Sequence, residues 1–210
     1  MDQRFTLYGR AGSGSLAVQV ALEELHAPYE KIWVSQEPAD IERFRKICPT
    51  GKVPALVLPD GTLMFESAAM LTHLALNYPG AGFAPQPGTS RHALFLQWMS
   101  YLSANVYEAV LRIYYSARYS SRGEPDADAI RQQGQTDFLT HAALISRTLN
   151  PYVMGTEYSI ADVYLYMLAS WYPDQAELHT ALPLLGAHTA LLSARPAVAK
   201  VAADHASQAS

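Results

Sequence analysis

The sequence contains few charged residues. Only 16% of its 210 residues are Asp, Glu, Lys or Arg, against about 25% in an average soluble protein. The 15 basic and 19 acidic residues give a formal net charge of −4, and no long basic run is present, so we expect no nucleic-acid partner. Half of the residues are apolar, which excludes an intrinsically disordered chain.

Cysteine, long apolar runs and metal-binding motifs are scarce as well. Cys48 is the single cysteine, so neither an internal disulfide nor dithiol redox chemistry is possible, and we predict a cytoplasmic location. Apolar stretches end before about 18 residues, which predicts no membrane span, and we expect no signal peptide. The seven histidines form no His-Glu-x-x-His motif or pair four residues apart, so no metal site is predicted.

A proline- and glycine-rich linker divides the chain. Residues 1–80 alternate short strands and helices in the order βαβαββα, which predicts an α/β domain with a small mixed sheet. Residues 81–90 are the predicted linker, and residues 91–210 are predicted to be all helical. Within them, Ile160–Trp171 is apolar nearly all round and should be a buried helix, whereas the alanine-rich C-terminal tail should be frayed.

The first candidate site is a glycine-rich turn between a strand and a helix. Residues 7–15 contain three glycines together with Ser13 and Ser15. Free N–H groups and the helix dipole stabilise an anion at a helix start, and a serine hydroxyl can donate to it. A bound thiolate is one such anion. The glycine spacing fits neither G-x-G-x-x-G nor a P-loop, and the alternative is a serine cap in an ordinary turn.

A second candidate is the pair Val53-Pro54 at the start of a predicted strand. If this peptide bond is cis, the N–H and C=O groups of Val53 face outward and can pair with an extended peptide ligand. The alternative is an ordinary trans proline that opens the strand.

A third candidate is Glu66-Ser67, where a strand gives way to a helix. A serine in the first turn can hold a carboxylate, and the adjacent glutamate can hold an ammonium group. Together they suit the two charged ends of an amino acid, although a plain helix cap explains them too.

Ser159 and Asp162 favour a structural interpretation. Their spacing is that of a capping box, which should start the buried helix without any part in catalysis.

Taken in order, these stretches resemble the cytosolic glutathione transferase family, of a bacterial kind with a serine-type active site. Supporting motifs are the run from Pro49 to Leu56, Asp60-Gly61, Gly155 before the capping box, and Arg195-Pro196. The resemblance covers nearly the whole chain. It implies a thioredoxin-like N-terminal domain of order βαβαββα and an all-α C-terminal helical bundle.

The resemblance also implies that glutathione is the co-substrate. Val53, before a cis Pro54, would pair with the cysteinyl backbone, Glu66 and Ser67 would hold the γ-glutamyl end, and Lys52 would meet the glycyl carboxylate. Ser13 would stabilise the thiolate, with Ser15 as the alternative and Tyr8 less favoured because Ser13 is nearer to the helix start. The cysteine of the cysteine-type bacterial classes falls at Gly14, so no glutathionyl-enzyme disulfide is expected.

A second substrate is expected between the domains, against an aromatic and apolar wall suited to an electrophile. Its candidate residues are Asn105, Tyr107, Arg112, Tyr114, Tyr115 and Trp171. Core packing or dimer contact explains the tyrosines equally well. Low charge in Phe95–Leu111 and Ile160–Trp171 predicts a buried core, a cleft wall and, by the resemblance, part of a homodimer interface.

These expectations lead to one leading function and two rival functions. The leading one is a glutathione transferase that conjugates glutathione to a small apolar electrophile, as in detoxification. The first rival is isomerisation, ether cleavage or dehalogenation with glutathione. The second is a non-catalytic binding protein with the same fold.

Overall fold

The computed structural model describes residues 4–208. Within that range the chain forms one four-stranded sheet and ten α-helices. The strands are β1 Phe5–Gly9, β2 Tyr29–Trp33, β3 Ala55–Val57 and β4 Leu63–Phe65. The helices are α1 Ser15–Glu24, α2 Pro38–Arg45, α3 Ser67–Asn77, α4 Ser90–Tyr101, α5 Tyr107–Tyr114, α6 Ala127–Ser146, α7 Ile160–Ser170, α8 Gln175–Ala181, α9 Pro183–Ser193 and α10 Pro196–Ser207. The predicted βαβαββα order is confirmed.

The sheet has the strand order β2-β1-β3-β4. β1 pairs in parallel with β2 and antiparallel with β3, which pairs antiparallel with β4. Alternate β1 residues are buried, as period-two patterning requires. Helix α1 is buried from Ser15 to Leu22 because its sequence is apolar on nearly every face.

The chain divides into two compact units. One runs to Ala84 and also includes the segment from Ser193; the other is Pro85–Leu192. The sequence-based division placed residues 91–210 together, whereas the last helix packs with the first unit.

Helix α10 replaces the frayed tail that the sequence predicted, and that prediction was wrong. Val198 and Val201 are fully buried. Arg195 donates two hydrogen bonds to the Glu24 carboxylate, at 2.6 and 2.9 Å. Apolar contact and ion pairing therefore fix this helix against α1.

The second unit is built around helix α7, which is buried along almost its whole length. The predicted capping box is present: Asp162 accepts the Ser159 N–H at 2.8 Å and a hydrogen bond from the Ser159 hydroxyl at 3.0 Å. Asp162 also accepts the Val153 N–H at 2.7 Å and lies 3.0 Å from His188 Nε2. None of the helices between residues 4 and 208 combines the length and the apolar character that a membrane span needs.

Candidate active site

Strand register brings the three N-terminal candidate motifs to one edge of the sheet. Tyr8 pairs with Ala55, which in turn pairs with Phe65. The glycine-rich turn follows β1, Val53-Pro54 precedes β3, and Glu66-Ser67 follows β4. All three motifs therefore adjoin paired residues at the same edge of the sheet.

Ser13 lies in the turn between β1 and α1 and is half-buried. Its hydroxyl donates to the Arg10 carbonyl oxygen at 2.7 Å, and its own carbonyl accepts the Leu16 N–H at 3.1 Å. Gly14 precedes the helix without a side-chain cap. Ser13 Oγ thus lies beside the N-terminus of α1, where it accepts the Ser15 N–H at 3.3 Å.

Ser15 is fully buried, with 0% exposure. Its hydroxyl lies 2.9 Å from Ser13 Oγ and 3.1 Å from the Arg10 carbonyl oxygen, and it accepts the Arg10 N–H at 3.2 Å. The two predicted serines are therefore in contact, and Ser13 is the one that reaches the surface.

Tyr8 packs into an apolar cluster. Its ring centroid lies 5.4 Å from that of Phe44 on α2, and it contacts the cluster that contains Cys48. This packing explains Tyr8 structurally. Cys48 is itself buried, in agreement with a structural thiol.

Arg10 holds the turn in place. Its guanidinium donates to the carbonyl oxygens of Val34 at 3.0 Å and Ser35 at 2.9 Å, in the loop after β2. The sequence analysis assigned Arg10 no role, because the sequence does not show which carbonyl groups its side chain reaches. A cavity of about 540 Å³ adjoins the turn, lined by residues that include Arg10, Gly12, Trp33 and Gln208.

The Val53-Pro54 peptide bond is cis. Pro54 is buried and Val53 is half-buried. Within residues 4–208, the N–H and C=O groups of Val53 make no hydrogen bond to another backbone group. The preceding Lys52 is exposed, and its N–H donates to Thr50 Oγ1 at 3.2 Å.

Glu66 adopts a left-handed backbone conformation directly before α3. Its φ is 73° and its ψ is 105°, a region that non-glycine residues rarely occupy. Glu66 is exposed, whereas the neighbouring Ser67 is buried. Strained residues of this kind cluster at functional sites.

The six predicted second-substrate residues divide into separate groups. Tyr107 and Trp171 are in edge-to-face contact at 5.6 Å, and the Tyr114 hydroxyl donates to the Trp171 carbonyl at 2.7 Å. Partial desolvation raises the pKa of Tyr114, although the residue is 56% exposed overall. These three residues form an aromatic cluster on the second unit.

The remaining three candidates have different surroundings. Arg112 pairs with Asp137 of α6 at 2.7 Å, and Tyr115 lies under the Arg118 guanidinium at 4.1 Å. Asn105 donates to the Tyr101 carbonyl at 3.4 Å and lies in a π-helical segment, Leu102–Val106. Sequence patterning does not reveal that segment, although such bulges are frequent at functional sites.

Between residues 4 and 208, no group of three or more histidine, cysteine, aspartate or glutamate side chains could hold a metal ion.

Comparison with known proteins agrees with this geometry. Residues 14–76 match the family described as glutathione S-transferase, N-terminal domain. The chain is 28% identical to the glutathione S-transferase-like protein OpS6 of Beauveria bassiana, over 97% of each chain. A glutathione transferase homologue from Sulfitobacter with bound glutathione is 28% identical, with a TM-score of 0.85, over 96% of this chain and 98% of that one. A sphingomonad glutathione S-transferase complexed with glutathione is also 28% identical, with a TM-score of 0.80, over 96% and 98%.

The small mixed sheet with its cis proline, followed by a largely helical unit, defines the glutathione transferase fold. The family match of residues 14–76 and the relatives that share the whole fold support a glutathione S-transferase family protein. The predicted fold is confirmed, and these matches support the predicted family.

Proposed function

We propose that this protein binds glutathione in its first unit, ionises the thiol and conjugates the thiolate to a small apolar electrophile. The observation that carries the proposal is the register row Tyr8–Ala55–Phe65, which brings the three candidate motifs to one edge of the sheet. The relatives from Sulfitobacter and the sphingomonad hold glutathione.

Four residues would bind the tripeptide. The N–H and C=O groups of Val53, which pair with no other backbone group between residues 4 and 208, would pair with the cysteinyl residue of glutathione as in strand addition. Glu66 and Ser67 would take the ammonium and carboxylate of the γ-glutamyl end. The exposed ammonium of Lys52 would meet the glycyl carboxylate.

Ser13 would be the catalytic residue that stabilises the thiolate. Its hydroxyl and the N–H groups at the start of α1 are hydrogen-bond donors, and the helix dipole adds partial positive charge. These interactions favour the thiolate over the thiol and lower the thiol pKa from its ordinary value of about 8.5. The thiol proton passes to solvent, and the thiolate is the nucleophile: with an aryl halide it forms the C–S bond while the carbon–halogen bond breaks and halide leaves.

The aromatic cluster of Tyr107, Tyr114 and Trp171 would supply the wall for the electrophile. Large apolar faces with few polar groups suit a small hydrophobic co-substrate. Asn105, Arg112 and Tyr115 instead contact Tyr101, Asp137 and Arg118, respectively.

The proposal includes a homodimer in the cytoplasm. Large apolar side chains such as Phe65 and Leu94 are 46% and 48% exposed, and the sequence is poor in charge. Light scattering during gel filtration should give twice the mass of 23.1 kDa. A single-chain mass would contradict this part of the proposal.

The direct test is turnover of a generic aryl halide with glutathione. The wild-type protein should form the conjugate, and Ser13→Ala should lower kcat/KM about 10- to 100-fold, as expected for loss of a hydrogen bond to a charged group. Unchanged turnover in both Ser13→Ala and Ser15→Ala would contradict the mechanism.

A panel of substrates separates this function from its two rivals. Glutathione binding without turnover of any electrophile would favour a non-catalytic binding protein. Activity that is confined to an isomerisation, ether or organohalide substrate would favour glutathione-dependent isomerisation, ether cleavage or dehalogenation.

A further inference from the structure

Ser13 and Ser15 share one hydrogen-bond acceptor, the carbonyl oxygen of Arg10. Ser13 Oγ lies 2.7 Å from that oxygen and Ser15 Oγ lies 3.1 Å from it, while the two hydroxyl oxygens are 2.9 Å apart. Each serine hydroxyl has one proton to donate. In the structure, therefore, only one of the two serines needs to donate to Arg10 at any time.

This sharing matters when Ser13 donates to a thiolate. The Ser13 proton then leaves the Arg10 carbonyl, and a carbonyl without a donor costs free energy when it is shielded from water. Ser15 can donate to the same carbonyl at 3.1 Å without any movement of heavy atoms. The Ser15 N–H, 3.3 Å from Ser13 Oγ, continues to donate to the Ser13 oxygen.

We infer that Ser15 is a positioning residue for thiolate activation: it takes over the Arg10 carbonyl and so frees the Ser13 hydroxyl for the glutathione sulfur. The inference rests on the proposed function. Ser15 itself is fully buried and acts on the sulfur only through Ser13. No covalent bond changes in this step. The Ser13 hydroxyl rotates from the Arg10 carbonyl to the thiolate, and the Ser15 hydroxyl rotates onto the Arg10 carbonyl.

A double-mutant cycle tests this role. We measure kcat/KM for an aryl halide at saturating glutathione against pH in the wild type, Ser13→Ala, Ser15→Ala and the double variant. The midpoint of this profile reports ionisation of the bound thiol. Ser13→Ala should raise the midpoint by about one to two pH units, the size of a hydrogen bond to a charged group.

Ser15→Ala should raise the midpoint by about half as much, with little change in the KM for glutathione. In the Ser13→Ala background it should have no further effect, because Ser15 acts through Ser13. An equal shift in both backgrounds, or no shift in either, would overturn the inference. If Ser15→Ala does not fold, Ser15→Cys keeps the volume with a weaker donor and is judged in the same way.

Two controls separate the possible failures. Ser146→Ala, at another buried serine in the second unit, should leave the pH midpoint unchanged. If the wild type neither binds glutathione nor ionises its thiol, the proposed function itself is wrong. If the wild type and Ser13→Ala behave as expected and Ser15→Ala does not, only the role of Ser15 is wrong.

Discussion

Ser15 occupies the space that a side chain at Gly9 would need. An ideal Cβ on Gly9 would lie 2.7 Å from Ser15 Oγ and 2.8 Å from Ser15 Cβ, distances well inside van der Waals contact. Gly9 ends β1 and Ser15 begins α1, so the absence of a side chain at the end of the strand allows the first turn of the helix to close against it. This contact fixes the position of the Ser13–Ser15 pair.

Gly9→Ala should therefore destabilise the protein and lower its activity together. The new methyl group must displace Ser15, and overpacking of this kind costs about 1–3 kcal/mol. Urea unfolding gives the stability, and aryl halide turnover gives the activity. Gly80→Ala is the matched control, because a Cβ there meets no atom within 4 Å. Equal stability and turnover of the two variants would contradict the packing argument.

Glu66→Gly should stabilise the fold but weaken glutathione binding. Glycine adopts a φ of 73° without the steric cost that glutamate bears there, so thermal unfolding should indicate a gain of about 1 kcal/mol. Loss of the carboxylate should raise the KM for glutathione about tenfold or more. Glu66→Gln should show the binding loss without the gain in stability.

The control for Glu66 is His26, an exposed residue with a φ of 50°. His26→Gly relieves backbone strain at the end of α1 and should leave the KM for glutathione unchanged. A Glu66→Gly protein that binds glutathione as tightly as the wild type would show that the carboxylate has no part in binding.

Tyr107→Ala should raise the KM for the electrophile, whereas Arg112→Met should not. Tyr107 contacts Trp171 in the aromatic cluster, whereas Arg112 pairs with Asp137. Because both partners of this ion pair are partly exposed, its loss should cost at most about 1 kcal/mol of stability. Steady-state kinetics at saturating glutathione distinguish the two. An electrophile KM that responds to Arg112→Met and not to Tyr107→Ala would reverse the assignment.

Asp162→Ala should strongly destabilise the fold. The buried Asp162 carboxylate accepts hydrogen bonds from Val153 and Ser159 and contacts His188, so its removal leaves several buried polar groups unpaired. We expect a loss of about 3 kcal/mol or more in chemical unfolding. Asp174→Ala, at the exposed cap of α8, should cost about 1 kcal/mol. Similar losses for the two variants would contradict the proposed importance of burial.

Acid should loosen the packing of α10 through His205. Burial lowers the pKa of His205 to about 4, helped by the charge of Lys31, while Asp204 opposes the shift. The unfolded chain binds this proton near the ordinary value of 6.5, so the free energy of unfolding falls as the pH falls from about 6.5 to about 4. Burial alone would raise the pKa of Asp204, but hydrogen bonds from Lys31 and Gln19 lower it, and that contribution is also lost in acid.

His205→Gln should flatten this part of the pH dependence, because a glutamine side chain does not titrate between pH 4 and 6.5. Its amide can still donate to Gln19 Oε1, which lies 3.1 Å from His205 Nε2. Chemical unfolding at several pH values measures it. His26→Gln, at an exposed histidine, should retain the wild-type slope. A His205→Gln protein with the same slope would show that another group causes the loss of stability in acid.

Local patterns in the sequence were sufficient to predict the sheet unit. The strand and helix order of residues 1–80 depends on short-range alternation and on glycine and proline, and the structure has the predicted order βαβαββα. The capping box of Ser159 and Asp162 is also a local signal. The His188 contact with Asp162 is not, because nothing in the sequence indicates which histidine reaches the cap.

Long-range packing accounts for what the sequence did not predict. Helix α10 was predicted to be frayed, because its alanine-rich sequence gives no sign of the pairing of Arg195 with Glu24. The contact between Ser13 and Ser15 depends on the absence of a side chain at Gly9. Similarly, the sequence shows that the residues near Tyr107 are aromatic, but it does not show that Tyr107 contacts Trp171 in the folded protein.

In the proposed function, Ser13 stabilises the thiolate of bound glutathione. The most direct measurement is a pH titration of thiolate absorbance for the glutathione complex of the wild type and of Ser13→Ala. The wild-type complex should ionise well below the thiol pKa of about 8.5, and Ser13→Ala should move the midpoint back by about one to two units. Ionisation at the same pH in both complexes, or at the pH of free glutathione in the wild type, would contradict the account.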